Sequence, residues 1–315
     1  MAGLARSPLP ARAALEQAFR ERDHRARRAY SQAMILVTAA TGNVGRELVP
    51  QLLNAGQQVR AGTRHPQGAS FPPGAHATHF DFGDEASVRA AATGAQSVYL
   101  IVPETVDTET LTRALSVMKE VGVERVVLQS GFGAGQGDNP LGEAEDSVRA
   151  SGLNWTILRP NWFMQNYNQM FRRGIRDRHE FAEPAGEQRT SFIDTRDVAA
   201  AAVAVLTQPG HDHREYDLTG PHSTDRHAVA AALSSALGHP ITYRPVDDDG
   251  FVDFLVSTGE SDEEEARAIA SIYPPIRAGD TAPITPDLHA LTGSTGHTLE
   301  DFAQHYRQDW LMADG

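Results

Sequence analysis

A glycine-containing turn near the start of the chain is the first group of residues that could do chemistry. The turn has the sequence T-A-A-T-G-N-V-G at residues 38–45 and follows a short apolar run, M-I-L-V at 34–37. Gly42 would let the backbone approach a pyrophosphate, and Gly45 would let the next helix pack against the strand. The helix N-terminus would present N–H groups and a positive dipole to the phosphates. Because the turn joins a strand to a helix, we predict a dinucleotide site. Its predicted residues are Thr38, Thr41, Gly42, Asn43, Val44 and Gly45.

One residue of this turn departs from the usual pattern. Ala39 occupies the position where such turns have their first glycine. A methyl group fits there without strain only when φ is negative, so we expect either a negative φ at Ala39 or a shifted turn. The alternative to a dinucleotide site is a glycine turn that binds no ligand.

The end of the predicted second strand, residues 59–63, indicates which dinucleotide is bound. A site for NAD usually has an acid here for the ribose hydroxyls, whereas an arginine accommodates the 2′-phosphate of NADP. The sequence has no acid between Glu47 and Asp81, and Arg64 follows the strand directly, with Arg60 nearby. The pattern therefore favours NADP(H), the alternative being that Arg64 is a surface residue.

The next strand is predicted at residues 79–82, and its last two residues, Asp81 and Phe82, would lie near the adenine. Asp81 could also cap the following helix together with Asp84. Apolar strands and helices continue to alternate as far as residue 160, with strands at 97–102, 125–129 and 155–158. Alternation of this kind predicts an α/β fold built on a doubly wound parallel sheet, with a smaller C-terminal α/β part.

We predict three regions in the chain. Residues 1–33 form a basic extension that is disordered or non-essential, 34–160 form the NADP(H)-binding core, and 161–315 form a substrate-binding part. Within the last region, residues 190–220 return to the main sheet through a helix at 196–206 and a strand at 215–219.

Further helices are predicted in the C-terminal part. They lie at 224–237, with Thr224 as the N-cap, at 251–272, with a break at Gly259, and at 299–310. Ser261 and Asp197 are further predicted caps.

Composition limits the classes of function. The 315 residues include no Cys and carry a net charge of −13, and no apolar run is long enough to cross a bilayer. An acidic protein repels phosphate backbones, so we predict no nucleic-acid partner. The absence of Cys and of a signal-peptide pattern predicts a cytoplasmic protein that has no membrane partner. The sequence is compatible with a homodimer. His211 and His213 lie two residues apart, but no third His follows at a suitable spacing, so we predict no metal site.

Several segments in a fixed order resemble one family. The chain is similar to the NmrA-like family of atypical short-chain dehydrogenase/reductases over about residues 35–310. Members of that family include NADPH-dependent quinone reductases, azo-dye reductases, aromatic ether reductases and regulators that bind NADP without turning it over. The matching segments are T-A-A-T-G-N-V-G at 38–45, T-R at 63–64, L-R-P-N-W-F-M-Q-N at 158–166, F-I-D-T-R-D-V-A at 192–199, Y-D-L-T-G-P at 216–221 and T-G-S-T-G-H-T-L-E-D-F at 292–302.

The resemblance implies roles for residues along the ends of the strands. Arg64 would contact the 2′-phosphate, and Asp81 and Phe82 would border the adenine. Residues near the nicotinamide ribose would be Val102, Pro103, Gln129 and Ser130. The wall beside the nicotinamide and substrate would contain Pro160, Asn161, Trp162 and Phe163. Together with Tyr167, the aromatic side chains of this wall predict a pocket for a flat, apolar, quinone-like or aromatic substrate, with core packing as the alternative.

The usual catalytic pair of short-chain dehydrogenases is missing. That pair is Tyr-x-x-x-Lys, in which Lys lowers the pKa of Tyr for proton transfer. The one Lys of the chain is Lys119, and no Tyr lies between Tyr99 and Tyr167. Hydride transfer to a quinone requires positioning more than acid–base groups. Ser130 and Asn161 are candidates for polarising an acceptor oxygen, the alternative for Ser130 being a bond to the backbone.

We therefore predict an NADPH-dependent oxidoreductase that transfers hydride to a quinone or a related conjugated acceptor. One alternative is a regulatory protein that senses NADP(H) without catalysis. Another is a biosynthetic reductase of a polycyclic aromatic intermediate. A glycine-rich loop at 131–137 is predicted either to be a flap over the site or a loop without a role.

Overall fold

The computed structural model describes residues 33–103, 105–135 and 139–312. The basic extension predicted at 1–33 thus lies outside the described residues, apart from Ala33. The strands of the described part are β1 (Met34–Val37), β2 (Gln58–Thr63), β3 (Ala75–His79), β4 (Ser97–Ile101), β5 (Arg125–Gln129), β6 (Asn154–Pro160), β7 (Glu180–Glu183), β8 (Arg214–Leu218) and β9 (Thr242–Pro245).

Helices alternate with these strands and then fill the C-terminal part. Their bounds are α1 (Asn43–Asn54), α2 (Glu85–Ala92), α3 (Thr108–Glu120), α4 (Pro140–Ala150), α5 (Thr195–Thr207), α6 (Arg226–Leu237), α7 (Asp248–Thr258), α8 (Glu263–Ala270), α9 (Pro274–Ala278), α10 (Asp287–Thr292), α11 (Leu299–His305) and α12 (Arg307–Leu311). Among the residues described, none of these helices is long and apolar enough to cross a membrane.

Seven parallel strands form the main sheet, in the order β3-β2-β1-β4-β5-β6-β8. Strand β1 lies where the order reverses, with Ile35 paired to Val59 of β2 on one side and to Ser97 of β4 on the other. Connections leave β1 and β4 in opposite directions, so a crevice opens outside their carboxyl ends. The predicted doubly wound parallel sheet is confirmed.

Both faces of the sheet are covered, because its central strands are almost wholly apolar. Helices α1 and α5 pack together over one face, where Val37, Tyr99 and Leu158 are buried. On the other face, α2, α3 and α4 cover Val98 and Leu128. The alternation of side chains along each strand thus divides the core into two apolar layers.

The C-terminal part has an aromatic core of its own. Strand β7, which the sequence did not predict, pairs in parallel with β9 to form a two-stranded sheet. Phe171, Phe181 and Phe251 are fully buried around it and pack with Tyr273. The chain returns to the main sheet through α5 and through β8, which pairs with β6.

Strand β3 lies earlier than predicted. It runs along β2 from the pair Val59–Ala75 to the pair Thr63–His79, whereas the sequence predicted residues 79–82. Its sequence A-H-A-T-H has no apolar run because it is the exposed edge strand of the sheet. After it the chain turns, and the Asp81 carboxylate accepts a hydrogen bond from the Gly83 amide at 2.8 Å.

Three predicted helix caps are wrong, each by one or a few residues. Where Thr224, Ser261 and Asp197 were expected, a neighbouring aspartate accepts a hydrogen bond from an amide of the first turn; the observed caps are Asp225, Asp262 and Asp194. A carboxylate is well suited to this position because it also complements the helix dipole. The predicted break at Gly259 is confirmed, since a left-handed Gly259 ends α7.

Asp197 instead connects α5 to the segment before α11. Its carboxylate accepts bonds from the backbone amide and the ring Nδ1 of His297, both at 2.7 Å. Asp197 is nearly buried, and this burial raises the pKa of its carboxyl, against the opposing effect of the His297 bonds. The T-G-H-T stretch of the C-terminal part is therefore fastened to a helix of the main sheet.

A buried ion pair stabilises the C-terminal core. Arg226 donates through Nε to Glu183 at 3.0 Å, and the side chains of both residues are 0% exposed. The guanidinium of Arg226 also lies over the Phe192 ring, 5.0 Å from its centroid. Removing one partner of such a pair leaves an uncompensated charge in an apolar interior.

We predict that Arg226→Met destabilises the protein by about 3–5 kcal/mol, because Glu183 loses its buried partner. Urea unfolding followed by circular dichroism measures the loss. Arg244→Met is the matched control, since Arg244 lies 3.7 Å from Glu180 on a more exposed surface and such pairs contribute about 0–1 kcal/mol. Equal losses in the two variants would contradict the proposed importance of the buried pair.

Candidate functional site

The carboxyl ends of β1 and β4 are joined by one buried side chain. Thr38 directly follows β1 and is 0% exposed. Its Oγ1 donates to the Tyr99 carbonyl at 3.2 Å and accepts from the Ile101 amide at 2.9 Å. The start of the glycine turn is therefore held against β4, at the point where the strand order reverses.

The turn itself is tight, and it places Ala39 in the left-handed region. The Gly42 amide donates to the Ala39 carbonyl at 2.9 Å, and the Ala40 amide donates to the Gly62 carbonyl of β2 at 3.0 Å. Ala39 has φ of 47°, so the expectation of a negative φ is wrong. An alanine in this conformation costs on the order of 1 kcal/mol, which the surrounding hydrogen bonds offset.

Two glycines of the turn leave no room for a side chain. A Cβ on Gly45 would lie 2.6 Å from the Ala39 carbonyl oxygen and 2.7 Å from the Ala40 Cα. A Cβ on Gly42 would lie 3.1 Å from the same Ala39 oxygen. Helix α1 therefore begins directly against the backbone of the turn.

No side chain caps the N-terminus of α1. Gly42 is the cap residue and has extended backbone angles, so the amides of the first turn, beginning at Asn43, have no side-chain acceptor of the usual kind. On the outer side, Arg46 donates through Nε to the Thr41 carbonyl at 2.7 Å. A helix N-terminus of this kind, at the crevice of a doubly wound sheet, fits the pyrophosphate of a dinucleotide.

The two arginines near the end of β2 differ in their surroundings. Arg60 donates through Nη1 to the carbonyls of Ala91 and Thr93, at 2.5 and 2.8 Å, and so binds the C-terminal end of α2. Arg64 lies one residue beyond β2 and its side chain is exposed, while its carbonyl interacts with the ring Nδ1 of His79 at 3.1 Å. Of the two, Arg64 is therefore the arginine with an exposed side chain at the carboxyl end of β2.

The residues predicted to border the adenine lie just beyond the edge strand β3. Asp81 and Phe82 are both half-buried, and the Phe82 ring packs edge-to-face on Phe80 with centroids 5.0 Å apart. Asp84 is the cap of α2, since its carboxylate accepts from the Ala86 amide. The Asp81 carboxylate therefore stabilises the turn before α2, and Asp84 alone caps the helix.

The ends of β4 and β5 provide the next predicted positions. Val102 is half-buried and Pro103 is exposed, both directly after β4. At the end of β5, the Gln129 side-chain oxygen accepts a hydrogen bond from the Tyr99 hydroxyl at 2.8 Å. Tyr99 is fully buried and its pKa is raised by this burial, so its hydroxyl is a neutral donor that orients Gln129.

Ser130 follows β5 and is bound to a buried carboxylate. Its hydroxyl donates to Glu145 Oε1 at 2.7 Å. Arg159 donates to both carboxylate oxygens of Glu145, at 2.7 and 2.6 Å, and Arg149 donates to Oε2 at 2.7 Å. Burial alone would raise the pKa of Glu145, but the bonds from Arg159 and Ser130 and the Arg159 charge hold it below its usual range.

Asn161 lies in a buried junction between three segments. Its side-chain nitrogen donates to Ser191 Oγ at 2.7 Å and to the Thr281 carbonyl at 2.9 Å, and its side-chain oxygen accepts from the Trp162 amide at 2.8 Å. With 4% exposure, Asn161 connects segments of the C-terminal part to the end of β6. Its side-chain nitrogen therefore donates two hydrogen bonds within the protein.

The predicted aromatic wall divides into accessible and buried residues. Trp162 and Phe163 are half-buried after β6, and Trp162 packs edge-to-face against Tyr273 at 5.2 Å. Pro160, the last residue of β6, is buried and accepts a hydrogen bond from the Phe132 amide at 3.0 Å. Tyr167 is 0% exposed among aromatic rings of the C-terminal core, so it lies inside the core and not on an open pocket wall.

Two open pockets border residues near the strand ends. One, of about 410 Å³, borders the loop after Ser130, helix α4 and the side chains of Arg149, Arg159 and Asp217. Residues 136 and 137 of the predicted flap lie outside the described residues. The other pocket, of about 460 Å³, borders the first turn of α1.

The pocket beside α1 contains residues that the sequence did not single out. Gln169 donates to the Asn43 side-chain oxygen at 2.6 Å, which joins the C-terminal part to the glycine turn. Gln165 donates to Asp194 Oδ1 at 2.9 Å and accepts from the Thr195 amide at 3.0 Å. The polar residues spaced through 161–169, a stretch otherwise rich in aromatics, were the available signal. Among the described residues, no group of three or more His, Asp or Glu side chains is arranged to hold a metal ion.

The fold and the turn together define a dinucleotide-binding α/β protein. The profile of the NAD(P)H-binding family matches residues 39–209, and the chain belongs to this family. It is 33% identical to an NAD(P)H azoreductase of Xenophilus azovorans, over 86% of this chain and 97% of the relative. It is 30% identical to a (4-alkanoyl-5-oxo-2,5-dihydrofuran-3-yl)methyl phosphate reductase of Streptomyces griseus, over 87% and 98%.

A solved structure shows the same architecture with a cofactor bound. It is the NADPH-dependent quinone oxidoreductase of Escherichia coli in complex with NADPH, which is 25% identical to this chain. The TM-score is 0.75, and the match covers 87% of this chain and all of the other. The predicted resemblance to atypical short-chain reductases and the predicted NAD(P)H cofactor are confirmed.

We predict that Gly45→Ala lowers the stability of the protein by about 1–3 kcal/mol, because the new methyl group would overlap backbone atoms of Ala39 and Ala40. Thermal unfolding measures the effect, and titration with NADPH should show weaker binding as α1 moves away from the turn. The control is Gly68→Ala, since a Cβ on Gly68 meets no atom within 4 Å. If both variants unfold at the wild-type temperature, close packing of α1 on the turn does not limit stability.

Proposed function

We propose that this chain is an NADPH-dependent reductase that transfers hydride to a quinone, an azo compound or a related conjugated aromatic acceptor. The observation that carries the proposal is the uncapped N-terminus of α1 at the crevice of the sheet, in a chain with a named NAD(P)H azoreductase as a relative. The prediction of an NAD(P)H-dependent oxidoreductase is confirmed by such relatives, which are named reductases.

The proposed cofactor site follows the carboxyl ends of β1, β2, β4 and β5. The first turn of α1 would bind the pyrophosphate, and the exposed Arg64 would bind the 2′-phosphate as a charged donor. Preference for NADPH over NADH is supported by Arg64 and by the lack of an acid near the end of β2. The proposed contacts are Thr38, Thr41, Gly42, Asn43, Val44, Gly45, Arg64, Asp81, Phe82, Val102, Pro103, Gln129, Ser130 and Pro160.

The proposed reaction depends on positioning and on little acid–base chemistry. NADPH, when bound, supplies the hydride. The protein would hold the two reactants face to face, with the half-buried rings of Trp162 and Phe163 as the wall against a flat acceptor. The side chains of Ser130 and Asn161 are already bonded to Glu145 and to Ser191 and Thr281, so water is the proton source for the reduced acceptor.

Two other functions can be separated from this one. A non-catalytic NADP(H) sensor is favoured by the missing Tyr–Lys pair, and it would bind NADPH without oxidising it. A biosynthetic reductase of a polycyclic aromatic intermediate would turn over a narrow range of acceptors. The Streptomyces griseus relative, named for one defined phosphate substrate, supports such narrow specificity in a related chain.

We propose that the protein is cytoplasmic and has no nucleic-acid partner, and its sequence is compatible with a homodimer. The net charge of −13 supports the absence of a nucleic-acid partner, because an acidic surface repels phosphates.

The reductase proposal is tested by steady-state oxidation of NADPH under anaerobic conditions, with panels of quinones and azo dyes. We expect multiple turnovers with several flat acceptors and much slower turnover with NADH. Tight binding of NADPH without oxidation by any acceptor would replace the proposal with the sensor. Turnover restricted to fused-ring acceptors would favour the biosynthetic reductase.

We predict that Arg64→Ala weakens NADPH binding by about ten- to one-hundred-fold, the effect of losing one charge-assisted contact to the 2′-phosphate. NADH binding should hardly change. Fluorescence titration with each dinucleotide measures both affinities. Arg113→Ala removes the same charge from an exposed pair with Glu109 on α3 and should leave both affinities at the wild-type level. A similar loss for NADPH and NADH in Arg64→Ala would refute the role of Arg64.

We also predict that Lys119→Ala leaves the kcat of acceptor reduction unchanged. The ammonium of Lys119 donates to the Ser151 carbonyl at 3.2 Å, between the ends of α3 and α4. Leu115 occupies the position four residues before it, where a Tyr-x-x-x-Lys pair has its tyrosine. Steady-state assays at saturating NADPH measure kcat. A large drop in kcat with unchanged thermal stability would bring lysine-assisted proton transfer back into the mechanism.

A further inference from the structure

We infer that Glu145 makes Ser130 a hydrogen-bond acceptor, so that Ser130 positions the bound dinucleotide and does not polarise the acceptor's oxygen. The inference rests on the proposed function and names a positioning role within the same site. Ser130 is the residue directly after β5, at the edge of the sheet where the crevice opens. Its role is decided by where its single hydroxyl proton points.

The hydroxyl proton of Ser130 is already donated. A serine hydroxyl has one proton to give and two lone pairs with which to accept. The oxygen of Ser130 lies 2.7 Å from Glu145 Oε1. An ionised carboxylate has no proton to return, so in this pair Ser130 is the donor.

Three donated bonds from two arginines keep Glu145 ionised. Arg159 donates through Nε and Nη2 to the two carboxylate oxygens, and Arg149 donates to Oε2. The side chain of Glu145 is 0% exposed, so water does not compete for these oxygens. A carboxylate that accepts several charged donors in a buried site loses much by protonation.

The arginine that orients Glu145 is itself held in place. Arg159 Nη2 lies 2.8 Å from a carboxylate oxygen of Glu215, and Arg159 Nη1 lies 3.7 Å from Asp217, both on the edge strand β8. The guanidinium therefore has acidic partners on both sides. Neither Arg159 nor Glu145 can rotate without breaking charged contacts, so the direction of the Ser130 hydroxyl is set by the folded protein.

The consequence concerns which ligand group can contact Ser130. A developing oxyanion needs a donor, and Ser130 has none left; its lone pairs would repel the negative charge. A hydroxyl or amide N–H is the suitable partner, and a nicotinamide dinucleotide carries both kinds of group, in its ribose and its carboxamide. For a quinone, one hydride from NADPH and one proton from water then give the hydroquinone and NADP⁺, without a proton from Ser130.

The direct test compares Ser130→Ala with Ser147→Ala in binding experiments without any acceptor. Ser147 is a buried serine of α4 that donates to the Glu143 carbonyl, so it controls for the loss of a buried hydroxyl. We expect Ser130→Ala to raise the Kd of NADPH roughly two- to tenfold, Ser130→Thr to restore it, and Ser147→Ala to leave it unchanged. An unchanged Kd in Ser130→Ala overturns the inference.

Steady-state kinetics separate the two roles of Ser130. If it positions the dinucleotide, Ser130→Ala raises the KM for NADPH and leaves the KM of the acceptor unchanged. A raised acceptor KM with an unchanged KM for NADPH overturns the inference. Wild-type protein that binds NADPH but reduces no acceptor would refute the proposed reductase, and the Kd comparison would still decide the role of Ser130.

The part played by Glu145 is tested with Glu145→Gln in wild-type and Ser130→Ala backgrounds. If Glu145 acts through Ser130, Glu145→Gln raises the Kd of NADPH in the wild-type background and adds little in Ser130→Ala. Equal and additive effects in both backgrounds would overturn that part of the inference. If Glu145→Gln does not fold, the comparison is made with Arg149→Gln, which removes one donor to Glu145 from a partly exposed position. We then expect the same non-additivity at smaller amplitude, and additive effects again overturn this part.

Discussion

The whole arrangement depends on how closely α1 approaches the end of β1. Gly45 has no space for even a methyl group, because a Cβ there would overlap backbone atoms of Ala39 and Ala40. Thr38 fixes the same turn to β4 through two hydrogen bonds of its hydroxyl. These contacts place the uncapped helix N-terminus at the crevice where the strand order reverses. A binding surface for phosphates follows from that placement.

Buried polar contacts extend this order to the neighbouring strands and to the C-terminal part. Tyr99 orients Gln129, and Glu145 orients Ser130, so the side chains of both residues at the end of β5 are held in fixed directions. Asn161 fastens the segment after β6. Buried and fully bonded side chains of this kind lose little further freedom when a ligand binds, which suits a reaction that depends on positioning.

The sequence predicted most of the fold because its strands and turns carry strong local patterns. The apolar runs of β4 and β5 and the glycine turn were enough to predict the parallel sheet and the crevice. Strand β3 was misplaced because an exposed edge strand has no apolar run. Strand β7 was missed because it has only four residues, E-F-A-E, and its glutamates flank the two apolar residues even though Glu183 is buried. The positive φ of Ala39 depends on hydrogen bonds that close the turn, which residue type alone does not reveal.

Side-chain roles were harder to predict, because burial and partners come from distant segments. Ser130 meets Glu145 across 15 residues and Asn161 meets Thr281 across 120, so neither partner follows from local spacing.

The central claim is hydride transfer from a bound nicotinamide that presents one face of its ring to the acceptor. Anaerobic single turnovers with NADPH deuterated at either face of C4 test this claim most directly. We predict that one labelled cofactor loses its deuterium completely and reacts more slowly, while the other retains it. Random loss of the label, or no oxidation at all, would contradict the claim.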